Sequence, residues 1–463
     1  SWASSRISRL EPGKSLRLRA TDGAFAPDLA QMHGALPDEP RVRIPADGLL
    51  TFAVEVPQAT WVTGTLRLRP DEDLRPGLRA YVLSDSTLIA APMVTARDWG
   101  PVPVREAIPD IRGRRPAPRV QLTEWLLPAG RHYITVAGPH FRPAGEFVEL
   151  RLRATSRPVE EPLMTFALFS DTHLSTGRSP WMNVIMYEPS VTALRDELLS
   201  LQAAEADFAL IAGDMTNSGT SANFELLAGV LDEVDLPVYG CIGNHDSYLE
   251  SSRPDALRLV PELFPRGELN YVLEHGPLRF IVLDASYWRT RDGRILDHIV
   301  RDDWVSIGLP EGQMQWLRET LAADTRTPTV VVWHYGFHDR LTASSCGHLM
   351  RASTCADSAE ALEVIEQAPN VIATLSGHSH WNQVNVADGI THVQNPGFAE
   401  WPNGYRVFRV YRDRMEWELR QVANRGLIRE AFTPEKAQSW MISTGPGDLA
   451  GTIPLTRVAP TGR

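Results

Sequence analysis

A chain of 463 residues is longer than one ordinary domain, and a norm of about 150 residues per domain points to two or three. Hydrophobic residues make up 43% and charged residues 22%, as in globular proteins, and no apolar run reaches the roughly 18 residues that a membrane-spanning helix needs. The 46 basic against 57 acidic residues leave a net charge of −11, which disfavours a broad nucleic-acid surface. Residues 1–160 carry 22 basic and 18 acidic side chains, so the other 24 and 39 put −15 on the remainder. Such an excess of carboxylates suits cation binding, although solvated surface acids are its commoner cause.

From Ser15 to about Thr155 the pattern alternates with turns, as in "SLRLRA", "LLTFAVEV", "GTLRLRP", "RHYITVAG" and "FVELRLRA". Period-2 runs separated by Gly and Pro predict an antiparallel β-sandwich, assigned to residues 1–158. The stretch "SRPVEEPLM", residues 156–164, reads as a linker because its prolines and adjacent acids suit neither strand nor helix interior.

A second grammar follows. "MTFALFS", a helix near 189–204, "DFALIAG", a helix near 222–234 and "PVYGCIG" are succeeded by "LRFIVLD", a helix near 312–323, "PTVVVWH", a helix near 357–367 and "NVIATLSG". Strands alternating with helices predict an α/β layer architecture over residues 159–442. "THVQNP", "YRVFRVY" and "MEWELRQV" read as terminal paired strands. Residues 443–463 read as a poorly ordered or surface-hugging tail.

The three cysteines are too few for a disulfide scaffold. Cys241 reads as a buried thiol in an apolar run. Cys346 and Cys355 flank "CGHLMRASTC" and can pair in an oxidising compartment. The chain begins at "SWASSR" without a basic and apolar leader, as in a cytoplasmic protein or a processed form.

Chemistry concentrates at the strand ends. "FSDTH" carries Asp171 and His173, "IAGDMTN" carries Gly213 and Asp214, and "CIGNHD" carries Asn244, His245 and Asp246. "VVWHYG" carries His334, and "LSGHSH" carries His378 and His380, whose i, i+2 spacing in extended chain sends both rings to one side. Taken alone, that last pair is equally well two hydrogen-bonded surface histidines. In α/β sheets, however, ligands collect at the carboxyl ends of strands, so five such ends can converge on one crevice. The donors suit borderline divalent ions such as Mn, Fe, Co or Zn. About eight donors are too many for one ion, and two ions sharing a carboxylate would use them.

The ordered set Asp-x-His, Gly-Asp, Gly-Asn-His-Asp, His, Gly-His-x-His resembles the calcineurin-like metallophosphoesterase superfamily over about residues 163–420. The resemblance implies a four-layer α/β/β/α sandwich, here preceded by the β-sandwich, and a phosphoric ester hydrolase with two divalent or transition metal ions. It implies that Asp171, His173 and His380 bind one ion, that Asn244, His334 and His378 bind the other, and that Asp214 bridges them. It implies attack by a metal-bound hydroxide, with protonated His245 facing the substrate and Asp246 beside it as an orienting partner; the alternative for Asp246 is to cap a turn. Family members with an iron-bound tyrosinate have Tyr where this chain has Asn217, so that version is not expected.

The 89 residues from His245 to His334 leave room for an insertion, "SYWRTRDGRILDHIVRDDWVSIGLP", that either lines the substrate pocket or makes an ordinary surface excursion. Compact cores of this motif set look most like the bacterial phosphodiesterase branch, which acts on cyclic nucleotides and glycerophosphodiesters. A small-molecule phosphodiester is therefore the expected substrate. A phosphomonoesterase or nucleotidase is the alternative on the same ligands, a DNA nuclease is disfavoured by the −15 charge, and a binding scaffold is the non-enzymatic alternative. Trp333, Tyr335, Phe337 and His338 flank His334 and are assigned to core packing before substrate contact. His348, between the two cysteines, can reach the mouth of the site if its loop folds over it. His275, His298 and His392 are read as structural, and "VQNPGF" as a turn that supports the site. The extra sandwich and the Cys346–Cys355 pair favour a periplasmic or secreted location, with the cytoplasm as the alternative. The sequence carries no signal of oligomeric state.

Overall fold

The structure is a computed structural model that describes residues 7–26, 42–69, 80–90, 119–138, 145–176, 185–336, 355–433, 444 and 446–457. The first part is a two-sheet β-sandwich, as the alternation predicts. Thr60–Arg69 and Gly145–Ala154 pair antiparallel at the centre of one sheet, and Leu49–Val56 and Gly130–Ala137 at the centre of the other. One side of each pleat fills a core of its own: Leu66, Leu150 and Leu152 meet Phe52, Val54, Ile134 and Val136.

The second part has two sheets packed face to face. In the first, β1 (Met164–Phe169), β2 (Phe208–Ile211) and β3 (Val238–Gly240) run parallel. In the second, β4 (Leu278–Val282), β5 (Thr329–Val332), β6 (Val371–Ser376) and β7 (Ile390–Gln394) run parallel. Helices α1 (Tyr187–Ala203) and α2 (Ser221–Leu231) cover the outer face of the first sheet, and α3 (Gln313–Ala323) and α4 (Ser358–Gln367) that of the second. This is the α/β/β/α sandwich.

Period-2 geometry explains why these strands read as unbroken apolar runs. Phe280, Val282, Val330 and Val332 point into the core between the sheets, while Ile281 and Val331 point outward onto Leu317 and Leu321 of α3 and Leu362 and Ile365 of α4. Phe166 lies at the centre of the inner core, stacked on Phe208 at 5.1 Å and on Phe408 at 4.7 Å, with Phe280 of the opposite sheet edge-on at 5.3 Å. Each such pair adds about 0.5–1.5 kcal/mol beyond its buried area.

Two expectations about the end of the chain change. "THVQNP" joins β6 in the second sheet, whereas β8 (Gly404–Val410) and β9 (Arg414–Gln421) extend the first sheet beside β1. The segment expected as a tail supplies β10 (Ala450–Pro454), paired with Arg414–Glu418 of β9, and a fully buried Asp448 that accepts from Val384 N at 2.7 Å. "AGTIP" has no periodicity to betray it, because an edge strand is selected by backbone pairing.

The remaining edge of β9 meets the β-sandwich. Thr87 faces Arg420, and Gln421 N donates to Ser86 O at 3.0 Å, so one 12-stranded sheet runs through both parts. Tyr81 and Leu83 of the sandwich pack into the inner α/β core, while the intervening Val82 packs into the sandwich core.

Candidate metal centre

The parallel strands of both sheets end at the same side of the molecule, and the predicted residues follow those ends. Asp171 and His173 lie just past β1, Asp214 past β2, Asn244 and His245 past β3, His334 past β5, and His378 and His380 past β6. Three sets each bring their ligand atoms within 4.8 Å of one another: Asp171, His173 and His380; His173, Asp214 and His245; and Asp214, His334 and His378. His173 and Asp214 each belong to two of the sets.

The backbone is strained where it delivers these groups. Asp171, His173, Asp214, His378 and His380 all have positive φ, between 44° and 71°. Side-chain-bearing residues seldom adopt that region, and such outliers gather at functional sites. Two motif glycines make room. A Cβ on Gly213, itself at φ 84°, would fall 2.4 Å from His334 Nδ1, and one on Gly377 would fall 1.6 Å from Ser170 Oγ.

Both carboxylates are buried and held by the chain. His378 N lies 3.1 Å from each Asp171 oxygen, and Ser170 Oγ donates to Oδ2. His245 N donates to Asp214 Oδ1 at 2.8 Å, leaving Oδ2 3.2 Å from His334 Nε2 and 3.8 Å from His173 Nε2. His380 Nε2 is 3.3 Å from Asp171 Oδ1 and 3.1 Å from His173 Nε2. His378 Nδ1 is 3.2 Å from His334 Nε2.

Their protonation is divided accordingly. Burial and the neighbouring His245 push His173 down to about 3, and burial and His334 push His378 down to about 3. For His334 burial opposes charging, but Asp214 and Asp171 outweigh it and raise the pKa to about 9. For His380 burial likewise opposes, and Glu400 and Asp171 raise it to about 10. For Asp171 and Asp214 burial raises the pKa, but His380 on the first and His334 and His245 on the second outweigh it and hold each below the usual range. The two buried carboxylates are thus faced by two imidazoles, His334 and His380, that they hold toward the protonated form. Asn244 Oδ1 and His173 Nδ1 are buried without a hydrogen-bond partner. Carboxylates and imidazoles crowded this closely beside the unpartnered amide oxygen of Asn244 fit cations.

Of the two roles expected of Asp246, its contacts fit the holding of a turn. Its carboxylate accepts from the backbone N–H groups of Met215 (3.1 Å), Thr216 (2.8 Å) and Gly243 (3.0 Å) and from Thr216 Oγ1 (2.8 Å). It therefore ties the Gly-Asp turn to the Gly-Asn-His-Asp turn. The His245 ring is oriented instead by Asn217, whose carbonyl oxygen lies 2.7 Å from Nδ1. A main-chain acceptor carries no residue-type signal, which is why the sequence could not reveal it.

Trp333 and Tyr335 are fully buried, in keeping with core packing, and Tyr335 Oη is 3.1 Å from Ser286 Oγ. Buried His392 places Nδ1 2.8 Å from Thr374 Oγ1. The "VQNPGF" turn is tied to the end of β1 by Phe398 N donating to Ser170 O at 3.0 Å. Phe337, His338, Cys346 and His348 lie outside the described residues; Cys241 and Cys355 are buried thiols. The insertion forms a three-stranded sheet of Tyr287–Thr290, Ile295–Leu296 and Trp304–Gly308. Its Trp288 donates from Nε1 to Ser247 O at 3.2 Å and packs 5.9 Å from Tyr248, which lies 4.8 Å from His245. The insertion therefore buttresses the His245 turn. Tyr248 and Ser247, not singled out in the sequence, are the residues through which it does so.

The site thus lies on a two-sheet α/β sandwich in which carboxylates and imidazoles converge from five strand ends. Residues 164–382 match the family model of the calcineurin-like phosphoesterases. The chain is 26% identical over 266 residues to a 3′,5′-cyclic-nucleotide phosphodiesterase of Nostoc sp., covering 54% of this chain and 89% of that protein. It is 24% identical over 221 residues to a glycerophosphodiester phosphodiesterase of Enterobacter lignolyticus, covering 47% of this chain and 71% of that protein. Among solved structures, a dimetal phosphatase from Danio rerio aligns with a TM-score of 0.46 and 20% identity, over 56% of this chain and 97% of that one.

Proposed function

We propose that this protein hydrolyses phosphodiester bonds of small molecules at a dinuclear metal centre. Asp171, His173 and His380 would hold one ion, Asn244, His334 and His378 the other, and Asp214 would lie between them. The observation that carries this reading is that Asp214 shares one ligand set with His173 and another with His334 and His378, and so links the two groups of ligands. The preference for diesters is supported by the two relatives whose names specify phosphodiesterases. When bound, such a pair of ions neutralises phosphoryl charge and activates water as a nucleophile.

The chain's own residues supply the rest. Because the Asn217 carbonyl can only accept, His245 Nδ1 keeps its proton, and Nε2 is the nitrogen that holds or gives up a proton. The His245 ring stands edge-on to His173 at 4.6 Å, so that nitrogen serves the leaving oxygen beside the ligand cluster. Buried Asp246 keeps the two turns that carry Asp214 and His245 in register. Residues 1–158 are read as an accessory sandwich joined to the catalytic part, residues 159–442, through the edge of β9, and residues 443–463 as a C-terminal tail from which β10 pairs along the rest of that edge. A periplasmic or secreted location remains the reading that the added sandwich favours.

The test is kcat/KM for an aryl phosphodiester relative to the matching monoester, on protein stripped of metal and reloaded with Mn. A ratio well above one is expected. A ratio well below one makes the protein a monoesterase, and no turnover of either compound returns the binding-scaffold alternative.

A further inference from the structure

Glu400 has no place in the ligand motifs, yet it is almost fully buried beside the site, and its Oε1 lies 2.9 Å from His380 Nδ1. The turn that carries it is built tightly around this contact. A Cβ on Gly397 would come within 2.9 Å of the His380 ring and 3.2 Å of Glu400 Cγ, and Ala399 N donates to Asp171 O at 3.2 Å. The opposite half of the site is backed differently, since His334 Nδ1 donates to the neutral carbonyl of Ala212 at 2.8 Å.

We propose that Glu400 is a positioning residue of the metal centre: by accepting the Nδ1 proton of His380 it aims Nε2 at the ion shared with Asp171 and His173. It also places a carboxylate behind that half of the site, whereas His334 is backed among the described residues by a neutral carbonyl. The inference rests on the dinuclear reading above. A carboxylate behind a ligating imidazole fixes its tautomer and ring orientation and strengthens it as a donor, and loss of such a partner typically costs about 10–100-fold in metal affinity. The effect should be confined to one ion of the two.

The experiment is calorimetric titration of Mn into the metal-free full-length chain, for wild type, Glu400→Gln and Glu400→Ala, with the visible spectrum of the Co-loaded protein as a second readout. Wild type is expected to take up two ions. Glu400→Ala should bind one of them about 10–100-fold more weakly, leave the other unchanged and alter the Co bands; Glu400→Gln, which keeps an acceptor without the charge, should fall between. Two ions bound with wild-type affinity by both variants overturn the proposal. So does equal weakening of both ions, the result of a merely structural loss. The isosteric Glu400→Gln serves if the alanine variant does not fold. A wild type that takes up no Mn is seen before any substitution, and sinks the dinuclear reading together with this one.

Discussion

The carbonyl oxygen of Asn217 lies 2.7 Å from Nδ1 of His245 and leaves the other ring nitrogen as the one that exchanges a proton. Replacing the imidazole should therefore remove proton transfer without removing a ligand. His245→Ala is expected to lower kcat by about 10²–10⁴ while Mn stoichiometry stays at the wild-type value. A variant with undiminished kcat would show that the proton travels by another route.

Asn244 is buried with its amide oxygen unpartnered, while its Nδ2 donates to Tyr248 Oη at 3.4 Å. Asn244→Ala should lose turnover by orders of magnitude and bind one Mn less tightly, with thermal stability little changed, because the removed acceptor satisfies no other group. Metal analysis and melting curves on the same preparation decide this. Full activity in the variant excludes Asn244 from the ligand set.

Two glycine substitutions should act in opposite directions. Gly213→Ala places a methyl 2.4 Å from His334 Nδ1 at a backbone φ of 84°, and should destabilise by roughly 1–3 kcal/mol and weaken metal binding. Gly229→Ala, inside α2 with open space around it, should stabilise by roughly 0.5–1 kcal/mol and leave metal binding alone. Denaturant unfolding read beside Mn titration separates the two, and equal behaviour would mean that the close approach at His334 is not real.

Stability should also have an acid limb that originates at the sandwich junction. Burial works against ionisation of Glu418, but Arg409 and Arg420 outweigh it and lower its pKa to about 2; the same carboxylate accepts from Thr87 of the sandwich at 3.2 Å. A depressed carboxylate stabilises the fold above its unfolded pKa of about 4.5, and that stabilisation is lost as pH falls toward 2, a span equivalent to about 3 kcal/mol. Glu418→Gln should lower stability at neutral pH and flatten its fall between about pH 4.5 and 2. An acid limb of unchanged slope would place the titrating group elsewhere.

What the chain order alone determined is the repertoire of local pieces. Apolar runs ending in Gly-Asp, Gly-Asn-His-Asp and Gly-His-x-His mark strand ends with ligands, because a strand that delivers side chains into a crowded crevice needs both a glycine for clearance and a polar group just past it. The helices at Tyr187–Ala203, Ser221–Leu231, Gln313–Ala323 and Ser358–Gln367 fall within three residues of where the pattern puts them. Tertiary structure alone decided what backs those ligands and how the two parts join. Glu400 reaches His380 across a turn, Asn217 and Ala212 act through main-chain carbonyls, Asp246 bonds backbone amides, and β10 and Thr87 share an edge of β9. Such contacts are formed by backbone groups that every residue possesses, or by single side chains far apart in the chain, so neither spacing nor composition can record them.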